Sequence, residues 1–206
     1  MDETDSGDGG VEVDGEVSAE VDGEATAEVD GEAKENLTPS FEQQPEQHVA
    51  AAVEAIQQVE GIRPENWQNL DGNERLGALQ HVESQMAELQ GRPSVPVVAE
   101  QLSPNIFGGY DGHGITINSD HLSSNMPIDE FVDTIVHEGR HAFQDFAVNN
   151  PGVVADTALV NAWAENQTNY LDSEEYGQEL YMGQPLESDA WSYAGQVVDS
   201  LRQTRI

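Results

Sequence analysis

The stretch NMPIDEFVDTIVHEGRHAFQDFAV, residues 125–148, decides the fold of this chain. Asn125-Met126-Pro127 predicts a helix start, and Asp129 and Glu130 fall in the first turn, where the helix dipole favours negative charge. At about 100° per residue, the apolar positions form one continuous arc. They are Phe131, Val132, Ile135, Val136, Gly139, Ala142, Phe143 and Phe146. The pattern predicts an amphipathic helix that runs to about Val148.

Residues 137–141 of this helix read His-Glu-Gly-Arg-His, which is the HExxH pattern. Two histidines four positions apart lie on one helix face, so both imidazoles can reach one Zn²⁺, and Glu138 can act on a water held by the metal. His137 and His141 fall outside the apolar arc, so we expect them to face a cleft or solvent. Gly139 costs about 1 kcal/mol relative to alanine in mid-helix, which indicates close packing there.

A catalytic zinc ion usually has a third protein ligand, and Glu187 is the preferred residue for it. Pro185 favours the first turn of a last helix, which places the Glu187 carboxylate among apolar neighbours, where a charge needs a partner such as a metal. Glu187 could instead be an ordinary first-turn glutamate that interacts with the helix dipole. The alternative ligands are Glu174, Glu175, Glu179 and Asp156. Asp145 and Asp189 are predicted to orient a ligand rather than to bind the metal.

The rest of the chain predicts further helices around a small strand region. Apolar residues recur at helical spacing over 46–60, 73–90, roughly 153–171 and about 185–202. Short β-branched runs predict strands at 95–99, 105–107 and 114–118, and a turn at 110–114 would join the last two as a hairpin. The expected class is α+β, mostly helical, with two or three strands next to the HExxH helix.

Composition excludes several classes of protein. The 206 residues include 40 aspartates and glutamates, 7 lysines and arginines and no cysteine, for a net charge of −33. The absence of cysteine excludes a disulfide framework, a thiolate metal site and a cysteine nucleophile. The negative charge argues against binding to nucleic acid or to anionic membranes. Because neither a signal peptide nor an apolar run of about 20 residues is evident, we expect a cytoplasmic chain or one exported by a signal-free route.

The first 40 residues differ in composition from the remainder. They contain 14 acidic residues and one lysine, and Val-Asp-Gly-Glu recurs at 13–16, 21–24 and 29–32. Such a polar tract buries too little apolar surface to offset its chain entropy, so we predict a disordered acidic tail at 1–40. The functional alternatives for it are a calcium-binding repeat or a decoy for a basic partner. A folded domain is predicted at 41–206, with a helical N-terminal part at 41–94 and a core at 95–206.

The segment TIVHEGRHAFQ at 134–144, followed by QPLESDAW at 184–191, resembles a zincin metallopeptidase of the gluzincin kind. More narrowly, it is similar to small HExxH domains of bacterial polymorphic toxins and secreted effectors. The resemblance covers about residues 95–200 and implies a minimal zincin-like fold. It implies that His137, His141 and Glu187 bind zinc and that Glu138 is the general base.

The resemblance also implies where the substrate lies. An extended peptide would lie on a sheet edge formed by the strand around 115–118. Zincins further use a tyrosine or histidine to stabilise the transition state, and no single residue of this chain matches it. Tyr181, Tyr176, Tyr193 and His113 are the alternatives.

The expected function is therefore zinc-dependent hydrolysis of peptide bonds in a protein or peptide substrate. The acidic surface favours a basic protein as substrate or partner. Two other functions stay open on the sequence alone. One is a catalytically weak zincin used as a binding module. The other is an acidic decoy or mimic that binds a basic protein in a salt-sensitive way and needs neither His137 nor Glu187.

Overall fold

A computed structural model describes residues 45–204, and the predicted acidic tail at residues 1–40 lies outside them. The described part is mostly helical with one small mixed sheet, so the predicted α+β class is confirmed. The helices are α1 (Pro45–Gln57), α2 (Pro64–Trp67), α3 (Gly72–Leu89), α4 (Ser119–Leu122), α5 (Ile128–Asn149), α6 (Thr157–Thr168), α7 (Ser173–Tyr176), α8 (Gln178–Gly183) and α9 (Pro185–Thr204), with a 3₁₀ turn at Glu60–Ile62. The strands are β1 (Val97–Glu100), β2 (Gly108–Tyr110) and β3 (Ile115–Asn118).

Helices α3 and α6 begin where their sequences provide a side-chain cap. At α3, the Asp71 side chain accepts hydrogen bonds from the backbone N–H groups of Asn73 and Glu74, and the Glu74 side chain accepts one from Asp71 N–H in return. Asp156 caps α6 in a similar way, so α6 begins at Thr157 rather than at 153 as the apolar spacing suggested. Pro185 is the first residue of α9, as expected.

The sheet has the strand order β1-β3-β2, with β1 parallel and β2 antiparallel to β3. The predicted hairpin is present, but its first strand lies at 108–110 rather than at 105–107. The earlier residues form a turn, in which the Asn118 amide donates hydrogen bonds to the carbonyls of Ser103 and Ile106. Gly108 then permits close packing of β2, because a Cβ there would lie 2.6 Å from Thr116 O and 2.8 Å from Thr134 Cγ2.

The expectation that the strand at 115–118 forms a substrate-binding edge is wrong. β3 is the middle strand and is hydrogen-bonded on both sides. The edge strand that contacts α5 is β2. A β-branched run marks a buried strand, and a central strand fits that pattern better than an edge does.

Helix α5 is the centre of the described domain. Its apolar residues, including Phe131, Val132 and Ile135, are buried, as the sequence pattern predicted. The opposite face is also covered, because α9 packs along α5. His137 is therefore buried and His141 is half-buried, rather than facing solvent.

Within residues 45–204, no helix combines the length and the apolar character that crossing a bilayer requires.

Candidate metal centre

The crossing of α5 and α9 brings together the three residues that the sequence predicted as metal ligands. His137 and His141 project from successive turns of α5, and Glu187 projects from the first turn of α9. One ligand atom from each side chain lies within 4.8 Å of the other two, which is a spacing that could hold a metal ion. Glu187 is 1% exposed, so its carboxylate is enclosed by protein.

The distances within this trio are short. Nε2 of His141 lies 3.1 Å from Nε2 of His137 and 3.2 Å from Oε1 of Glu187. Oε2 of Glu187 lies 3.4 Å from His137 Nε2, yet this buried oxygen has no hydrogen-bond partner among the described residues. A buried carboxylate oxygen without a donor is costly. Two imidazole nitrogens and a carboxylate form a donor set that suits zinc, so the residues present fit that ion.

Electrostatics keep Glu187 ionised. Burial raises the pKa of this carboxyl group, but the adjacent imidazoles of His137 and His141 outweigh burial and hold the pKa well below its ordinary value of 4.5. At His141, burial lowers the pKa, and the hydrogen bond to Glu187 together with the charge of Glu138 raises it above 6.5. Glu187 therefore keeps its negative charge, and this charge attracts a cation, which is either a proton on His141 or a metal ion.

Glu138 lies next to the ligand trio and is half-buried. Burial raises the pKa of its carboxyl group, while the charges of His137 and His141 lower it less. A hydrogen bond from the Tyr110 backbone also favours the ionised form, which places the Glu138 carboxylate between edge strand β2 and the two histidines. A carboxylate with a raised pKa is suited to accept and release a proton near neutral pH.

Gln144 fixes the orientation of His141. Its amide NH₂ donates hydrogen bonds to Leu186 O at 3.0 Å and to Asp189 Oδ2 at 2.6 Å, so its amide oxygen faces His141 Nδ1 at 2.8 Å. The oxygen can only accept, and His141 Nδ1 must therefore carry a proton. This leaves the lone pair of Nε2 free to bind a metal ion.

Asp189 supports this arrangement from α9 rather than touching a ligand itself. It accepts two hydrogen bonds from the Arg140 guanidinium, at 2.7 and 2.9 Å, as well as the one from Gln144. The prediction that Asp145 orients a ligand is not supported by its contacts. Asp145 accepts hydrogen bonds from the Tyr110 hydroxyl and from the Asn149 amide. The side chains of α5 that contact α9 recur every three or four positions, the last of them at Gln144, and Asp145 lies one position beyond this face.

The close packing predicted at Gly139 is present on the other side of α5. A Cβ on Gly139 would lie 3.3 Å from Glu83 Oε2 and 3.4 Å from Arg92 Nη2. Arg92 and Glu83 form a buried ion pair at 2.7 Å, and the same guanidinium donates a hydrogen bond to Gly139 O. The pair thus anchors the backbone of the HExxH turn itself.

Two tyrosines lie at the metal centre. The Tyr170 hydroxyl donates a hydrogen bond of 2.5 Å to Glu187 Oε1, and the Tyr181 ring lies 6.1 Å from the Tyr170 ring. Burial and the charges of Glu187 and Glu138 raise the pKa of Tyr181, so its hydroxyl keeps its proton. Of the residues proposed to stabilise a transition state, Tyr181 is therefore the one that the structure places beside the ligand trio.

The other predicted stabilisers lie in different surroundings. Tyr176 is exposed on α7, and His113 is exposed in the hairpin turn. Tyr193 is buried beneath the Arg140 guanidinium, with 5.0 Å from the guanidinium carbon to the ring centroid.

The residues predicted as alternative metal ligands either cap a helix or are exposed away from the trio's ligand atoms. Asp156 caps α6 through hydrogen bonds from Ala158 N–H and Leu159 N–H. Glu174, Glu175 and Glu179 are exposed on α7 and α8. Among the described residues, the group of His137, His141 and Glu187 is the one whose ligand atoms converge on a point that could hold a metal.

Sequence reasoning missed Gln144 and Tyr170. Gln144 follows His141 by three positions on the same helix, so its spacing could have revealed it. Tyr170 lies in the loop after α6, and nothing in its local sequence indicates a contact with Glu187, which is 17 positions away.

No protein-family model matches this chain, and neither the curated proteins nor the solved structures include one that is significantly similar to it.

Proposed function

We propose that this chain is a zinc-dependent hydrolase of peptide bonds. The observation that carries the proposal is the convergence of His137, His141 and the buried, incompletely hydrogen-bonded Glu187, with Glu138 beside them. The HExxH pattern and its resemblance to zincins support zinc as the metal and peptide hydrolysis as the reaction. A small effector or toxin domain is the narrower form of this proposal.

Each protein group has a defined task in this reaction. Zinc, when bound, supplies Lewis-acid polarisation of the scissile carbonyl and lowers the pKa of water. Glu138, which lies beside His137 and His141, accepts the proton of the attacking water and delivers it to the leaving amine. Tyr181 donates a hydrogen bond to the carbonyl oxygen as negative charge develops there, and its raised pKa keeps the required proton in place.

The substrate backbone is proposed to lie along β2 rather than β3. Asn118 N–H donates to Phe107 O and Asp111 N–H donates to Gly114 O, so in this antiparallel pair the N–H and C=O groups of Gly108 and the C=O group of Tyr110 point away from β3, while the Tyr110 N–H is bonded to Glu138. An extended peptide that paired with this edge would run past Glu138, which the Tyr110 backbone contacts.

Metal content tests the site. Wild-type protein and the Glu187→Ala variant, purified without added zinc, would be measured by mass spectrometry. We expect one zinc ion per wild-type chain and much less in the variant. A wild-type chain that took up no zinc even after reconstitution would overturn the proposal and would favour the acidic-decoy function, which the net charge of −33 supports.

Activity tests the role of Glu138. The Glu138→Gln variant should retain its zinc and lose turnover by about 10²-fold or more, because the proton acceptor is gone while the ligands are unchanged. Full activity in this variant would contradict the assignment. Zinc binding without turnover in the wild type would favour a zincin that acts as a binding module.

A further inference from the structure

Exposed apolar side chains are concentrated in one stretch of the chain, residues 170–191. Among residues 48–204, eight large apolar side chains are exposed, and five of them lie in this stretch with 39 to 55% of their surface accessible. They are Tyr170, Tyr176, Leu180, Met182 and Trp191. The other three, Leu89, Val98 and Ile106, lie on α3, on β1 and in the loop before β2. Single exposed apolar residues need no explanation, but a group of this size indicates a contact surface.

This stretch contacts the metal centre at both of its ends. The Trp191 ring lies 4.4 Å from the His137 ring, and the Tyr170 hydroxyl is hydrogen-bonded to Glu187. Between these ends, Leu180 and Met182 flank Tyr181 on α8, the tyrosine that lies beside the ligand trio. We call these five exposed side chains the apolar face. A molecule that covered the apolar face would extend to the metal centre.

The charge of the same stretch is entirely negative. Residues 170–191 contain no lysine, arginine or histidine, and four exposed carboxylates lie among the apolar side chains. They are Asp172, Glu174, Glu175 and Glu179. A second copy of this chain or an anionic lipid surface would be repelled, whereas a cationic segment would be attracted.

We propose that the apolar face and its carboxylates select a substrate segment in which a large apolar side chain is flanked by lysine or arginine. This inference rests on the proposed function, because it concerns the substrate of the same site. The apolar side chain packs against Trp191 and against Leu180 or Met182, the exposed α8 side chains on either side of Tyr181. The basic residues on either side of it pair with the carboxylates at the rim.

Binding of labelled peptides to the zinc-loaded, full-length Glu138→Gln chain tests this inference without hydrolysis. Three ten-residue peptides would be compared by fluorescence anisotropy. The first has a central phenylalanine flanked by lysines, the second replaces the phenylalanine by alanine, and the third replaces the lysines by glutamates. Any unspecific attraction of lysines to the acidic chain is the same for the first two peptides, so their difference reports the apolar contact.

Peptide binding by two double variants, each replacing two exposed apolar side chains by serine, distinguishes the apolar face from the rest of the surface. The double variant Leu180→Ser/Met182→Ser should bind the phenylalanine peptide about tenfold more weakly, because the α8 side chain that covers it, Leu180 or Met182, has been replaced. The control variant Leu89→Ser/Val98→Ser should bind it within about twofold of the parent. All four side chains are exposed, so neither variant should unfold the chain.

The outcomes distinguish the inference from the proposed function. Equal binding of the phenylalanine and alanine peptides, or equal losses in the two double variants, would overturn the inference even if the wild type cleaved both peptides. The predicted order of binding, with no cleavage of any peptide by the zinc-loaded wild type, would support the apolar face as a binding surface and contradict the proposed hydrolysis.

Discussion

Two clusters of buried charge lie against opposite sides of α5, and they differ in whether the protein completes them. Glu83 and Arg92 are joined by two hydrogen bonds, and Glu83 also accepts one from Val95 N–H. Arg92 further donates to Gln90 Oε1 and to Gly139 O. Removing one member of such a pair leaves the other charge buried without compensation.

The candidate metal centre is the incomplete cluster. Oε2 of Glu187 and Nδ1 of His137 are buried and have no hydrogen-bond partner among the described residues. The same helix thus carries one ion pair whose charged atoms are all hydrogen-bonded and one cluster that a cation would complete. This difference offers a criterion for telling a structural charge pair from a candidate cation site, and the predictions below test it from the largest expected effect to the smallest.

Breaking the complete cluster should cost the most stability. Glu83→Ala leaves the Arg92 guanidinium buried without its counter-ion, and we expect a loss of about 3–5 kcal/mol in the free energy of unfolding, measured by urea denaturation. Arg202→Ala is the matched control, because Arg202 pairs with Asp129 at the surface and should cost less than about 1 kcal/mol. Similar losses for the two variants would contradict a structural role for the Glu83–Arg92 pair.

Zinc should stabilise the incomplete cluster and leave the complete one unaffected. At a free zinc concentration about 100 times its Kd, binding to the native state adds about 2.7 kcal/mol to the free energy of unfolding. Thermal melts with and without zinc would show this increase in the wild type and in Arg202→Ala. We expect no increase in Glu187→Ala, and an equal increase there would place the bound zinc elsewhere in the chain.

The same melts should depend on pH in a defined direction. The hydrogen bond to Glu187 and the charge of Glu138 raise the pKa of His141 above 6.5 against the effect of burial, so a proton competes with the metal as the pH falls. The zinc-dependent gain in melting temperature should therefore be largest at pH values above this pKa and should shrink as the solution is acidified through it. A gain that grew on acidification would contradict binding through the neutral imidazole.

Removing the group that orients His141 should weaken metal binding without removing a ligand. Gln144→Leu should lower zinc affinity about 10–100-fold, because His141 loses the acceptor that fixes its tautomer. Titration calorimetry on the folded variant would measure the affinity. Asp145→Asn is the control, since Asp145 contacts Tyr110 and Asn149 instead of a ligand. If the two variants bound zinc equally well, Gln144 would have no orienting role.

The sequence predicted those parts of the site that local spacing determines. His137, Glu138 and His141 follow from a four-residue separation on one helix, and Glu187 follows from its place in the first turn of a helix. Tyr170 was not predicted because its partner Glu187 lies on α9, and no local pattern states how α9 crosses α5. The spacing of Gln144 from His141 is local, but only its contacts with Leu186 and Asp189 on α9 distinguish it from its neighbours. Asp145 was predicted because it follows His141 by four positions on the same helix face, whereas the crossing of the two helices favours Gln144.

Prediction of the fold from the sequence was limited in the same way, to features that depend on neighbouring residues. Helices α1, α3 and α9 lie within three residues of their predicted ends, because apolar period and capping residues are local properties. The order of the strands is not local. The sequence could not show that β3 pairs on both sides, or that residues 105–107 are held in a turn by the distant Asn118 amide.

Gly139 belongs to the HExxH turn and also contacts the Glu83–Arg92 pair. Its substitution has the smallest expected effect on stability, but the sign of that effect tests whether the pair restrains the turn. Gly139→Ala gains about 1 kcal/mol of helix propensity, but the new methyl group meets Glu83 and Arg92 at 3.3 and 3.4 Å. Because each of these side chains is fixed by several hydrogen bonds, neither can move away, and overpacking of this kind costs about 1–3 kcal/mol. We expect a net loss of about 1 kcal/mol in the free energy of unfolding.

Gly77 supplies the control for this test. It lies on the exposed face of α3, and a Cβ there would have no neighbour within 4 Å. Gly77→Ala should therefore stabilise the chain by up to about 1 kcal/mol through helix propensity alone. If Gly139→Ala were as stabilising as Gly77→Ala, the Glu83–Arg92 pair would not restrain the HExxH turn. If Gly139→Ala lowered the free energy of unfolding while Gly77→Ala raised it, the Glu83–Arg92 pair would be shown to fix the backbone that carries His137 and His141.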